Sequence, residues 1–162
     1  EYVEIKAALQ EALKEINSFR SHEGAVLEKD FVARIENLLD LLKQVEAIDP
    51  ERMDNVRERL NKAVADIKEN VDENRFEQEL IFYLEKFDIT EEKVRLANHL
   101  DYFLQTLSSD DSNGKKLGFI SQEIGREINT IGSKANFAPM QQIVVQMKDE
   151  LEKIKEQMLN VL

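Results

Sequence analysis

The sequence has 162 residues, with 33 acidic against 22 basic side chains (formal charge −11), 42% apolar residues, five Gly, two Pro and no Cys. Without Cys there is no disulfide framework, thiolate nucleophile or Cys-based zinc site, and no apolar run approaches the roughly 18 residues of a membrane helix. A soluble cytoplasmic chain is expected, and its acidic total should repel nucleic acid at long range unless the basic groups are segregated on one surface.

Low Gly and Pro, 34% charged residues and abundant Leu, Glu, Lys, Ile and Ala favour an all-α fold of long antiparallel helical hairpins forming an extended bundle. Residues 2 to 48 carry an apolar stripe (Leu9, Leu13, Ile16, then Leu27, Phe31, Ile35, Leu38 and Leu42) at spacings of three and four, read as one long helix or two nearly collinear ones. The polar interruption Arg20-Ser21-His22-Glu23-Gly24 is a kink, a salt-bridged patch or part of a site completed elsewhere. Asp49-Pro50 reads as a breaker, with a second helix through Val56, Leu60, Val64 and Ile67 closing a hairpin over residues 1–71. A third helix is expected from about Asn74 to Lys86. Asp88-Ile89-Thr90-Glu91-Glu92 then caps a fourth that lasts to about Leu107. Ser108 to Gly114 is a polar, turn-rich loop, Lys115 to Ala135 a fifth helix, and Pro139 opens a sixth.

The fifth helix is the most informative segment. Leu117, Ile120, Ile124, Ile128, Ile131 and Ala135 fall within about 40° of one direction at 100° per residue, a narrow buried stripe. Gly118, Gly125 and Gly132 recur every seven residues on one flank, although an interior Gly costs roughly 1 kcal/mol relative to Ala. They either admit a neighbouring helix closely or open the backbone to a ligand such as phosphate. Residues 114–136 hold Lys115, Lys116, Arg126 and Lys134 against two acids, for +2, whereas residues 1–113 sum to −12.

Glu123 and Glu127, four apart, put two carboxylates on one helix face, where a hard divalent cation can be held with water completing its shell. The same spacing is common on solvated acidic helices, so the pair alone leaves both readings open. His99 borders the stripe Leu96, Leu100 and Phe103, either as a hydrogen-bonded structural side chain or as a proton carrier.

The string from Gly114 to Ala135, GKKLGFISQEIGREINTIGSKA, closely resembles the C-terminal motif of the bacterial YicC-like family, also called YloC. The resemblance extends to Arg20-x-x-Glu23-Gly24 with Leu27 and Asp30, to Arg75-Phe76-Glu77-Gln78-Glu79, to Asp88 through Glu92 followed by Arg95-Leu96 and His99, and to Glu152 through Gln157. It implies a C-terminal helical domain whose partner, an N-terminal domain of comparable size, is absent from this chain. It further implies endoribonuclease activity on single-stranded or structured RNA, assisted by a divalent metal (Mg or Mn), in a ring-like homo-oligomer.

Carried onto matching positions, the candidates give an expected arrangement in which Glu123 and Glu127 would hold the metal and His99, Glu123, Arg126 and Glu127 would form the catalytic group. His99 would shuttle the proton, and Arg126 and Lys134 would offset developing negative charge. Lys115, Lys116, Gln122, Arg126, Asn129, Ser133 and Lys134 would bind RNA, and Glu92 and Arg95 of the fourth helix are further candidates beside His99. Gly118 stands where the family commonly has Asp, and Ile128 where Ala is frequent, which removes one carboxylate from any larger metal scheme. The alternative from another class is a non-catalytic oligomerisation module whose polar stripe forms inter-subunit ion pairs.

Overall fold

A computed structural model of the chain describes residues 2–66, 72–109 and 113–161. Five α-helices cover them: α1 (Tyr2–Asp66), α2 (Glu73–Phe87), α3 (Thr90–Leu107), α4 (Gly114–Lys134) and α5 (Ala138–Met158). The all-α expectation holds, with no strand among the described residues. Pro139 opens α5 as expected. Asp88 accepts bonds from the Thr90 amide (3.1 Å) and hydroxyl (2.7 Å) at the start of α3, and the hydroxyl bond leads in holding its carboxyl below the usual range. Of the expected loop at Ser108–Gly114, Asp110 to Ser112 lie outside the described residues, as does Ile67 of the second expected helix.

The expected break at Asp49-Pro50 is absent, so the hairpin placed there is corrected: α1 runs 65 residues through Pro50 without interruption. An interior Pro removes one helical N–H and crowds the preceding turn, costing about 3 kcal/mol. The buried positions explain why the helix continues, because Leu38, Leu42, Val45, Asp49, Arg52 and Val56 keep spacings of three and four straight across the Pro. Two of these are charged. Arg52, 2% exposed, donates through Nε to Asp49 Oδ1 (2.8 Å) and through Nη2 to the Phe87 carbonyl (2.8 Å), and Lys93 Nζ reaches Asp49 Oδ2 at 2.7 Å. The ion cluster therefore ties the turn containing Pro50 to the start of α3.

α1, α3, α4 and α5 form a four-helix ring, each antiparallel to its two neighbours. Phe31 meets Phe103 edge-on (5.8 Å) while Asp49 meets Lys93, so α1 and α3 run oppositely. Arg34 and Asn37 of α1 both donate to Glu150 of α5 at 3.3 Å. Burial pushes the Glu150 carboxyl up, but the bonds from Lys153, Asn37 and Arg34 outweigh it and leave the group below its ordinary value. The core inside the ring is apolar and includes Phe31, Ile35, Leu38, Leu100, Phe103, Ile124, Ile128 and Met147. α2 lies against α1 outside the ring and buries none of its residues fully. Residues 2–26 are all exposed, with Ile5, Leu9, Leu13, Ile16 and Phe19 open to solvent, and from Phe19 onward this stretch flanks the end of the ring, where Phe19 and Glu23 share a cavity with Leu107, Leu117 and Gln157. Arg20 to Gly24 are regular helix, which removes the kink reading, and Arg20, Glu23 and Gly24 line that cavity of about 640 Å³, as a site completed by other elements would.

Candidate functional site

The four faces of α4 meet different surroundings. The stripe predicted as core is buried, joined by Ser121, whose hydroxyl returns to the Leu117 carbonyl at 2.9 Å. The glycine flank faces α5: a Cβ at Gly125 would lie 3.1 Å from Leu151 Cδ2, and one at Gly132 would lie 3.0 Å from Val144 Cγ1. Two of the three glycines thus admit a neighbouring helix. A Cβ at Gly118 would meet nothing within 4 Å. Gly118→Ala is therefore expected to raise stability by about 0.5–1 kcal/mol, by helix propensity and reduced unfolded-state entropy. Gly132→Val should lower it by about 1–3 kcal/mol through overpacking. Urea midpoints of the two variants check the contrast, and equal shifts would show that the flank is not graded in this way.

The opposite flank forms a seam with α3. At one end Lys134 Nζ bonds Glu92 Oε1 (2.7 Å) and the Asp88 carbonyl (3.0 Å). At the other, Lys116 Nζ sits 4.8 Å from the centroid of the Tyr102 ring, a cation–π contact. Heptad spacing places the chemistry between these anchors. Glu123 follows Lys116 by seven residues and Glu127 precedes Lys134 by seven, while His99 follows Glu92 by seven and precedes Tyr102 by three. Glu127 is buried (3% exposed) without a hydrogen-bond partner among the described residues, and His99 is half-buried. Glu123 is half-buried and ion-paired to Arg126 at 3.2 Å. Among the described residues no three His, Asp or Glu side chains converge in a metal-holding arrangement, so the seam offers at most the Glu123–Glu127 pair.

On the outer face of α4, Gln122, Arg126, Asn129 and Ser133 line one groove of about 580 Å³ with Gly125, Thr130 and Lys155 of α5. No carboxylate lines it, and its charged members are both cations. The Thr130 and Ser133 hydroxyls donate back to carbonyls of their own helix (Arg126, 3.0 Å; Thr130, 2.9 Å), which leaves their lone pairs outward. Four of the seven residues assigned to RNA thus share one surface. Lys115 is exposed in the first turn of α4, Lys116 lies on Tyr102 and Lys134 is anchored in the seam, so these three stand apart from the groove. Arg95 pairs with Glu91 on the exposed surface of α3. Lys155 was missed by sequence reasoning, although the α5 stripe held a signal: Lys155 follows by one turn Leu151, the residue that meets Gly125.

A family model described as "Endoribonuclease YicC-like, C-terminal" matches residues 45–162. The chain belongs to the YicC-like family. It is 37% identical over 160 residues to a "Probable endoribonuclease YicC" of Clostridioides difficile, covering 97% of this chain and 55% of that protein. It is 30% identical over 158 residues to a "Probable endoribonuclease YicC" of Haemophilus influenzae, covering 98% and 55% respectively. The chain spans about half the length of the curated relatives it matches. The YicC-like match begins inside α1, four residues before Asp49, and takes in both the α3–α4 seam and the α4–α5 groove. Among the described residues of this YicC-like chain, no helix is long and apolar enough to cross a membrane.

Proposed function

We propose that this chain is the helical part of an endoribonuclease, in which α4 carries the substrate on its outer face and the chemistry on the adjoining seam. The observation that carries this reading is the groove: four motif residues, Gln122, Arg126, Asn129 and Ser133, line it beside Lys155 with no carboxylate in the lining, within a chain of net −11. Cationic and amide donors along a helix suit the phosphate–sugar backbone of RNA. The names of the two relatives agree with RNA cleavage.

In the seam, two carboxylates one turn apart suffice for a Mg or Mn ion that keeps most of its waters, so Glu123 and Glu127 fit that modest role. When bound, the ion would supply an activated water or 2′-hydroxyl and offset charge on the phosphorus. The chain's own groups do the rest. His99 moves the proton, and Arg126, with its exposed guanidinium beside Glu123, stabilises the negative charge that develops on the phosphoryl oxygens. Cleavage of a labelled oligoribonucleotide by the full-length gene product, comparing wild type with Glu127→Gln and with chelator present, tests the assignment. Both treatments are expected to abolish cleavage, and full activity in both would remove the metal–carboxylate reading.

The exposed stripe Ile5, Leu9, Leu13, Ile16 and Phe19 favours a second reading, that the chain also serves to assemble copies of itself. Light scattering on Glu127→Gln and on a stripe variant separates the two readings. A Glu127→Gln protein of unchanged mass that no longer cleaves supports chemistry, and a fall in mass for Leu9→Lys with Leu13→Lys supports assembly through the stripe.

A further inference from the structure

Both cations of the α4–α5 groove are already occupied, and in the same way. Arg126 is paired with Glu123 (3.2 Å) and Lys155 with Glu152 (2.8 Å), each acid standing three residues before its cation on the same helix. The acids lie outside the groove lining while their partners line it, so without a bound strand the groove's two positive charges are matched by two negative ones. All four side chains keep substantial exposure (Arg126 71%, Glu123 39%, Lys155 43%, Glu152 63%), the range in which an ion pair is weak and readily exchanged.

Resting on the RNA-binding reading above, we propose that Glu152 is an internal competitor of the substrate: it clasps Lys155 until a phosphate of the strand takes the cation over. Lys155 is then a further binding residue of the groove, and Glu152 a regulating one. A phosphate diester presents the same kind of anionic oxygen as a carboxylate, so the exchange trades one charge-assisted hydrogen bond for another at the same Nζ. The released carboxylate faces a polyanion, which sets a threshold that weakly held anions do not pass. The Glu123–Arg126 pair has the same form, so bound RNA would also free Glu123 at the edge of the seam.

Binding of a fluorescein-labelled oligo-uridylate to this chain, followed by anisotropy across a salt series, tests the clasp. Glu152→Gln is expected to tighten binding about two- to fivefold at low salt, the range of an exposed ion pair. Lys155→Ala should weaken it and reduce the slope of log K against log salt by about one. In the Lys155→Ala background the gain from Glu152→Gln should shrink to that of Glu156→Gln, a neighbouring exposed acid that forms no ion pair among the described residues. A gain of full size in that background, or an unaltered slope for Lys155→Ala, overturns the clasp while leaving the functional reading in place. Failure of the wild-type chain to bind at all overturns the functional reading and the clasp together. Lys155 and Glu152 are surface residues of α5, so circular dichroism of the variants should be unchanged.

Discussion

Arg52→Met is expected to lower the unfolding free energy by about 3 kcal/mol, the scale of a broken buried ion pair. The guanidinium is 2% exposed and supports three elements at once: Asp49 one turn away in α1, the Phe87 carbonyl at the end of α2, and through Asp49 the Lys93 ammonium of α3. Met fills much of the volume and needs no partner, so the loss would come from the stranded Phe87 carbonyl and the half-compensated Asp49. Lys93 remains beside Asp49 and holds the effect below the upper range. Adding Asp49→Leu should recover part of the loss, because removing both members of a buried pair costs less than removing one. Urea denaturation of the single and double variants provides the measurement. A single variant within about 0.5 kcal/mol of wild type would mean that the cluster is ornamental and that apolar packing alone carries α1 past Pro50.

On the proposed endoribonuclease reading, His99→Ala in the full-length gene product should reduce the rate of RNA cleavage by about 10²–10⁴-fold, the usual contribution of a positioned acid or base. The side chain is half-buried at the rim of the α3 core, so truncation leaves Leu96, Leu100 and Phe103 packed, and a thermal melt should register little change. A proton role also predicts that the variant loses one limb of the pH–rate profile, which a merely structural histidine would not do. Combined with chelation, the variant distinguishes two chemistries. Sensitivity to both places His99 beside an ion held by Glu123 and Glu127. Sensitivity to His99→Ala alone, with chelator harmless, points to direct attack by the 2′-hydroxyl with Arg126 offsetting the charge. A variant that keeps more than about a tenth of the wild-type rate would remove His99 from the reaction.

Much of this was legible in the sequence because it depends on periodicity. The α4 stripe, the acidic opening of α3 and the Pro in the first turn of α5 all follow from local rules, and each is where spacing places it. Pro50 was misread because a breaker is recognised locally, whereas the compensation comes from Lys93 and the Phe87 carbonyl, about 40 residues away in sequence. Asp49 and Arg52 occupy core positions of an unbroken stripe, but their polarity hides them from a search for apolar residues. The groove was half legible. Helical phase gathers Gln122, Arg126, Asn129 and Ser133 on one line, yet nothing in α4 reveals that Lys155 completes the wall. Nor does charge counting distinguish Lys134, bound to Glu92 and the Asp88 carbonyl, from a lysine free to meet phosphate.

The unbroken α1 also fixes a distance. At 1.5 Å per residue the helix is about 97 Å long, and the 25 exposed residues before Leu27 account for roughly 37 Å of it. A flexible peptide of that length would let an attached body wander, but a helix continuous with the core transmits both reach and orientation. The arm is therefore a boom: anything bound along its outer part would be held off the α4–α5 groove at a set radius and bearing, with the spacing written into the count of helical residues.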